Sequence, residues 1–192
     1  ENYFEEINKN VIDTISVQNI RDKSFKFFIT NETAIENMYK LLSKAKESDV
    51  KSELAPDFIF EIQSGDKTET FNYVVGSNKG NFYNDNISFT MTKRLDEAIM
   101  QNLSIIRKPR NFELIYYQPI LDVIRLNEED MKNKKVGINL SEDIDALKYI
   151  FSSDIEDFLE EAREIIDDVE IVKNNSSEFD YVITMKNRGH DT

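Results

Sequence analysis

The chain has 192 residues, no cysteine and one histidine, with 40% hydrophobic and 32% charged side chains. That balance is globular rather than disordered, and it excludes disulfides, thiol chemistry, and zinc or iron–sulfur sites built on cysteine or histidine sets. Residues 1–110 carry 17 acidic and 15 basic side chains, residues 111–192 carry 20 and 9, so most of the net −13 lies in the second part; no basic face is available there for nucleic acid.

In chain order, Val11 to Val17 reads as a β-branched strand and Phe25 to Ile29 as a second, with Arg21-Asp22-Lys23 turning between them. Thr30 or Asn31 can cap a helix whose apolar positions are Ile35, Met38, Leu42 and Ala45. The polar run from Asp49 to Pro56 ends that period. A hairpin follows, Phe58–Gln63 and Glu69–Val75 around a Ser64-Gly65-Asp66-Lys67 turn. Gly76 to Asn86 reads as an Asn/Gly-rich loop, Ile87–Thr90 as a short strand, and Thr92 opens a helix through Leu95, Ile99 and Leu103.

Residues 107–111 are the best linker candidate, which gives a first unit over 1–106 and a second over 112–192. In the second unit Phe112–Tyr117 and Ile120–Leu126 read as strands separated by Pro119, and Lys135–Ile138 as a third. Ser141 can cap a helix with an apolar stripe at Ile144, Leu147, Phe151, Ile155, Phe158, Ala162 and Ile165. Ser153-Asp154-Ile155-Glu156 has the form of a capping box, so a break near Ser152 is expected. Val169–Lys173 and Asp180–Lys186 read as the last strands.

The two halves share a pattern. Val11 to Ile15 aligns without a gap on Ile120 to Ile124, and Ile29, Ile35, Met38 and Leu42 then fall on Ile138, Ile144, Leu147 and Phe151. An ungapped apolar register over about thirty residues suggests a duplicated unit. The expected fold is α+β: two tandem pseudo-repeated units, each an antiparallel sheet with helices on one face. Ile35 and Ile144 should then be equivalent buried positions, and the second unit, which stops just past Gly189, is expected to be incomplete.

Chemistry-bearing residues are few. Asp157, Glu160, Glu161, Glu164 and Asp168 share a polar face at 3- and 4-residue spacing, with Arg163 the only cation nearby. That face can attract a cationic peptide, a basic protein surface or a divalent cation, or simply be solvated. Carboxylates along a straight helix do not converge as a Ca²⁺ cage requires. His190 lies beside Gly189 near the chain end, a poor setting for a general base. Asp13 and Asp122 correspond in the repeat register but read as outward strand residues. Gly76-Ser77-Asn78-Lys79-Gly80 matches no phosphate cradle; Phe82 and Tyr83 read as cover for the hairpin, and Tyr116-Tyr117 as buried between the two units. Asn-x-Ser/Thr triplets at Asn31, Asn86, Asn102 and Asn139 are expected by chance in an Asn-rich chain. No catalytic, cofactor-binding or metal-ligating set emerges.

Strand–strand–helix–hairpin–helix, read through "FKFFITNETAIENMYKLLSKAK", "DFIFEIQSGDKTETFNYVV" and "NFYNDNISFTMTKRLDEAIMQNL", resembles small extracytoplasmic domains of low-GC Gram-positive bacteria. These occur as lipoproteins of unassigned function and as C-terminal domains of ABC-2-type permeases; "YYQPILDVIRLN" and "INLSEDIDALKYIFSSDI" resemble the second half of the permease domains. The resemblance implies an outward-facing domain without enzymatic activity. The chain opens at Glu1 without a methionine or a signal peptide, so the native anchor, lipid or transmembrane, is expected to lie outside these residues. The expected function is a non-catalytic extracytoplasmic sensing or interaction domain of a membrane-attached lipoprotein or ABC-type transporter, needing no cofactor and binding no nucleic acid. The alternative is a cytoplasmic acidic protein that mimics nucleic acid to occupy a basic partner.

Overall fold

The computed structural model describes residues 3, 4, 11–76, 80–91, 95, 97 and 108–186. The helix read beyond Leu95 through Ile99 and Leu103, the tip of the Gly76–Asn86 loop and His190 lie outside the described residues. Two compact units are present: Glu1–Arg107 with Phe151–Ser153, and Lys108–Ile150 with Asp154–Thr192.

In the first unit, alternation of apolar and polar side chains produces strands with one buried face. These are β1 (Thr14–Asn19), β2 (Lys26–Ile29), β3 (Lys46–Glu47), β4 (Phe58–Ser64), β5 (Lys67–Val74), β6 (Gly80–Tyr83) and β7 (Ser88–Met91). They form one antiparallel sheet in the order β2-β1-β4-β5-β6-β7-β3. Ile15, Val17, Phe58, Phe60, Ile62, Phe71, Tyr73, Phe82, Phe89 and Met91 are buried along its inner side. Lys26, Phe28, Glu61, Gln63, Thr68 and Thr70 are exposed on the outer one. Helix α1 (Glu32–Leu42) starts where the Asn31 side chain accepts from the Ala34 amide, and it buries Met38 and Leu42. β6, expected to be loop, is held between β5 and β7 by Tyr73↔Phe82 and Phe82↔Phe89 pairing. The β4–β5 connection has Gly65 at φ 59° as its first central residue, the position where a type II′ turn needs glycine. The Asp13 carboxylate, in turn, accepts the Gly65 N–H at 2.7 Å.

The second unit departs from expectation. Residues read as strands 112–117 and 120–126 are a single helix, α2 (Phe112–Leu126), with Pro119 inside it. Phe112, Tyr116, Tyr117, Ile120, Leu121 and Ile124 recur at 3- and 4-residue spacing and form its buried face. Proline removes the donor for the Ile115 carbonyl, but Ile115 and Pro119 both lie on the exposed side, where water can serve that carbonyl. After the short α3 (Glu128–Met131) come β8 (Val136–Asn139), α4 (Ser152–Ile165), β9 (Val169–Ile171) and β10 (Tyr181–Thr184). The sheet order is β10-β8-β9, and both pairings are parallel rather than antiparallel. Parallel pairing follows from the crossover through α4, since adjacent parallel strands need a long connection. α2 and α4 share one core with Val136, Ile138 and Val169.

The break near Ser152 is where α4 begins, but no α-helix lies between β8 and α4. The Asn139 side chain accepts from both the amide and the hydroxyl of Ser141, a local bond that competes with helix initiation. The chain then makes short-range bonds, Ala146 N–H to Asp143 and Tyr149 N–H to Ala146, ending in a 3₁₀ turn at Leu147–Tyr149. Ile144 is 65% exposed, and Ile35 is only half-buried, so their expected equivalence as core positions is wrong. The chain is α+β, as expected. The tandem repeat is not confirmed, because the register that pairs Val11–Ile15 with Ile120–Ile124 sets the approach to β1 and its first two residues against the helix α2. It likewise matches Ile29, on the edge strand β2, with Ile138, on the central strand β8.

Gly137 marks a close approach in the second unit. A Cβ there would lie 2.7 Å from both a Phe179 ring carbon and a Val172 methyl, on the side of β8 away from α4. Replacing Gly137 with valine should destabilise the second unit by about 1–3 kcal/mol through overpacking. Urea denaturation followed by the fluorescence of its tyrosines checks this; an unchanged midpoint would show that Phe179 and Val172 move aside freely.

Candidate functional site

The acidic face sits on an amphipathic helix. Phe158, Leu159, Ala162 and, just past the helix, Ile166 are buried, with Ile155 and Ile165 packed at the edge of the same core. Asp157, Glu160, Glu161 and Glu164 project from the opposite side of α4 and are all exposed. Asp168 does not continue this row: α4 ends at Ile165, and Asp168 lies in the connection to β9, where its carbonyl accepts from the Val136 amide at 3.0 Å. The cation expected to temper the row is turned elsewhere, since Arg163 donates to the Val169 carbonyl at 3.1 Å. Among the described residues, ion pairs engage Glu142, Asp154 and others but none of these five carboxylates. No three acidic or histidine side chains among the described residues converge as a metal site would require. The surface is therefore an extended row of negative charge.

A second constellation, not anticipated from the sequence, belongs to the first unit. Asp57, fully buried, precedes β4, and its carboxylate is surrounded by donors. Oδ1 accepts from Arg21 Nη1 at 2.6 Å and from the Ser152 amide at 2.9 Å, while Oδ2 accepts from the Val75 amide at 2.7 Å. Ser152 Oγ donates to the Ala55 carbonyl at 2.6 Å and accepts from Arg21 Nη2 at 2.5 Å. Beside them, the Phe151 and Phe58 rings are 6.1 Å apart. Burial pushes the Asp57 carboxyl above its ordinary value, opposed by the Arg21 charge and the Val75 and Ser152 N–H groups. With both oxygens and the serine hydroxyl already committed, this arrangement is a clasp and not an acid–base pair with a nucleophile. The sequence held no signal for it, because Ser152 joins Asp57 from 95 positions away.

The remaining candidates resolve into local roles. Asp13 serves the β4–β5 turn, whereas Asp122 lies on α2 beside Gln118 and Arg125, so the pair is not brought together as a site. Phe82 is fully buried in the first core; Tyr116 and Tyr117, expected to be buried between the units, lie in the core of the second unit itself. Burial and the nearby Asp143 charge push the Tyr116 phenol above its ordinary range; burial also raises the Asp143 carboxyl.

Among known families, the model described as YhfM protein matches residues 8–109. No curated protein and no solved structure matches the chain.

Proposed function

The chain belongs to the YhfM protein family, and from that premise we propose that it is a non-catalytic sensing or interaction domain. In this reading the acidic row of α4 receives a cationic peptide or a basic protein surface. The observation that carries the reading is that Asp157, Glu160, Glu161 and Glu164 are exposed, share one helix face and are left without counter-ions among the described residues. Four carboxylates held on a packed helix form a pre-organised field that a flexible cation can meet. The extracytoplasmic, membrane-attached setting, as a lipoprotein or part of an ABC-type transporter, is proposed on the pattern of strands and helices set out above. No helix among the described residues is long and apolar enough to cross a membrane, so attachment in this proposal comes from elsewhere in the full-length protein.

Titration calorimetry with a lysine-rich peptide tests the proposal. Binding is expected at low salt, and it should weaken steeply towards 0.15 M, where exposed charges are screened over about 8 Å. Changing Glu160, Glu161 and Glu164 together to glutamine should weaken it at least about tenfold, or roughly 1.4 kcal/mol. Equal affinity for the triple variant would remove the role assigned to α4. A nanomolar complex with a basic DNA-binding protein at physiological salt would favour the nucleic-acid mimic instead.

A further inference from the structure

The clasp at Asp57 has a receiving side and an occupant, and they come from different parts of the chain. The receiving side lies within residues 19–75. The Asp57 N–H donates to the Tyr73 carbonyl at 2.8 Å, and the Asp57 carbonyl accepts from the Ile20 amide at 3.0 Å. The buried Asn19 side chain accepts the Arg21 and Asp22 amides, both at 2.9 Å. Bonds that do not involve Ser152 therefore fix both the turn carrying Arg21 and the approach to β4 carrying Asp57. Every one of these residues, with Ala55, Phe58 and Val75, falls inside the span 8–109 that matches the family model. The occupant falls outside it. Phe151–Ser153 group with the first unit, although the chain on either side of them groups with the second.

The occupant is held as a bound peptide is held. Phe151 is 1% exposed, its ring beside that of Phe58. Ser152 gives its N–H to the Asp57 carboxylate and its hydroxyl to the Ala55 carbonyl, and its Oγ accepts from Arg21. A buried ring supplies contact area, and a few placed polar groups set the orientation, as at small ligand sites generally. A receiving side already pinned by its own bonds loses little freedom when it is filled. We infer that this corner of the first unit is a docking site for a Phe-Ser chain segment, filled here in cis by Phe151 and Ser152 and open to the same pair of residues from a partner polypeptide. The partner is recognised by its phenylalanine ring, by the amide that follows it and by the serine hydroxyl. This site is separate from the acidic row of α4 and uses no cation of the partner.

The test uses the whole chain and a dye-labelled peptide reproducing residues 148–156, with a control peptide in which alanine replaces the phenylalanine. Ser152→Pro empties the site, because proline has no N–H for Asp57 yet is tolerated at the first position of a helix. Fluorescence anisotropy should show this variant binding the peptide at least about tenfold more tightly than the parent chain, whose tethered segment competes at an effective concentration on the order of millimolar. The control peptide should bind the variant at least about tenfold more weakly than the Phe-Ser peptide. Glutamine at Glu160, Glu161 and Glu164 in the same background should leave the peptide affinity unchanged. A variant with the parent's circular dichroism that ignores the peptide, or takes both peptides alike, would overturn the inference. Should proline abolish folding, Ser152→Ala decides: it keeps the N–H and drops the hydroxyl, so peptide affinity should rise about threefold over the parent, and no rise would overturn the inference. A parent chain that sediments as a dimer and becomes monomeric on Ser152→Pro would assign the site to a second copy and overturn it likewise.

Discussion

Replacing Asp57 with alanine is expected to cost the first unit about 3 kcal/mol or more, because removing one partner of a buried pair strands the other. Arg21, 19% exposed, would lose its carboxylate, and the buried amides of Val75 and Ser152 would lose their acceptor. Each of those amides carries its own desolvation penalty once unpaired. Asparagine at this position should recover part of the loss, since its carbonyl oxygen can still accept from one amide. Urea melts of the two variants provide the measurement. A loss below about 1 kcal/mol for alanine would place Asp57 among surface-like positions, contrary to its complete burial.

The core aromatics set the other large expectation. Phe82 is fully buried on β6, stacked 4.5 Å from Phe71 and edge-on to Phe60 at 5.3 Å. Phe4 lies 6.2 Å away and Tyr73 6.4 Å. Truncation to alanine should cost about 3–5 kcal/mol, transfer and cavity terms together. Phe28, on β2, is 63% exposed, and its truncation should stay within about 0.5 kcal/mol. Thermal or urea melts in which the two variants behaved alike would contradict the assignment of faces to this sheet.

These positions also show what the sequence made legible. In the first unit, period-2 patterning and one strong turn were sufficient: β1, β2, β4, β5 and β7 fall within a few residues of their sequence readings, and α1 does the same with its Asn31 cap. β6 was hidden because Gly80-Asn81-Phe82-Tyr83 sits in Asn/Gly-rich surroundings, and its strand form comes from pairing on both edges. The second unit was misread where two signals compete. Phe112 to Leu126 is rich in aromatic and β-branched residues that suit strands, and Pro119 looks like a divider. The 3.6-residue period of its buried face prevailed, and the proline fell on the solvent side. Read as strands, that segment supplied the register between the halves that the structure does not confirm. The acidic row on α4 was legible from spacing alone, except at Asp168, which lies past the end of the helix. The Asp57 clasp was not legible, since it joins Arg21, Val75 and Ser152 across long stretches of chain.

The most direct test of the proposed role is a residue-resolved titration. Two-dimensional ¹⁵N–¹H spectra of the labelled chain would be followed as a lysine-rich peptide is added at low salt. The account predicts that shifts concentrate at the amides of Asp157 to Glu164, saturate with added peptide and reverse when salt is raised to 0.15 M, where the Debye length is about 8 Å. Saturating shifts confined to the first unit, or none along α4, would contradict it.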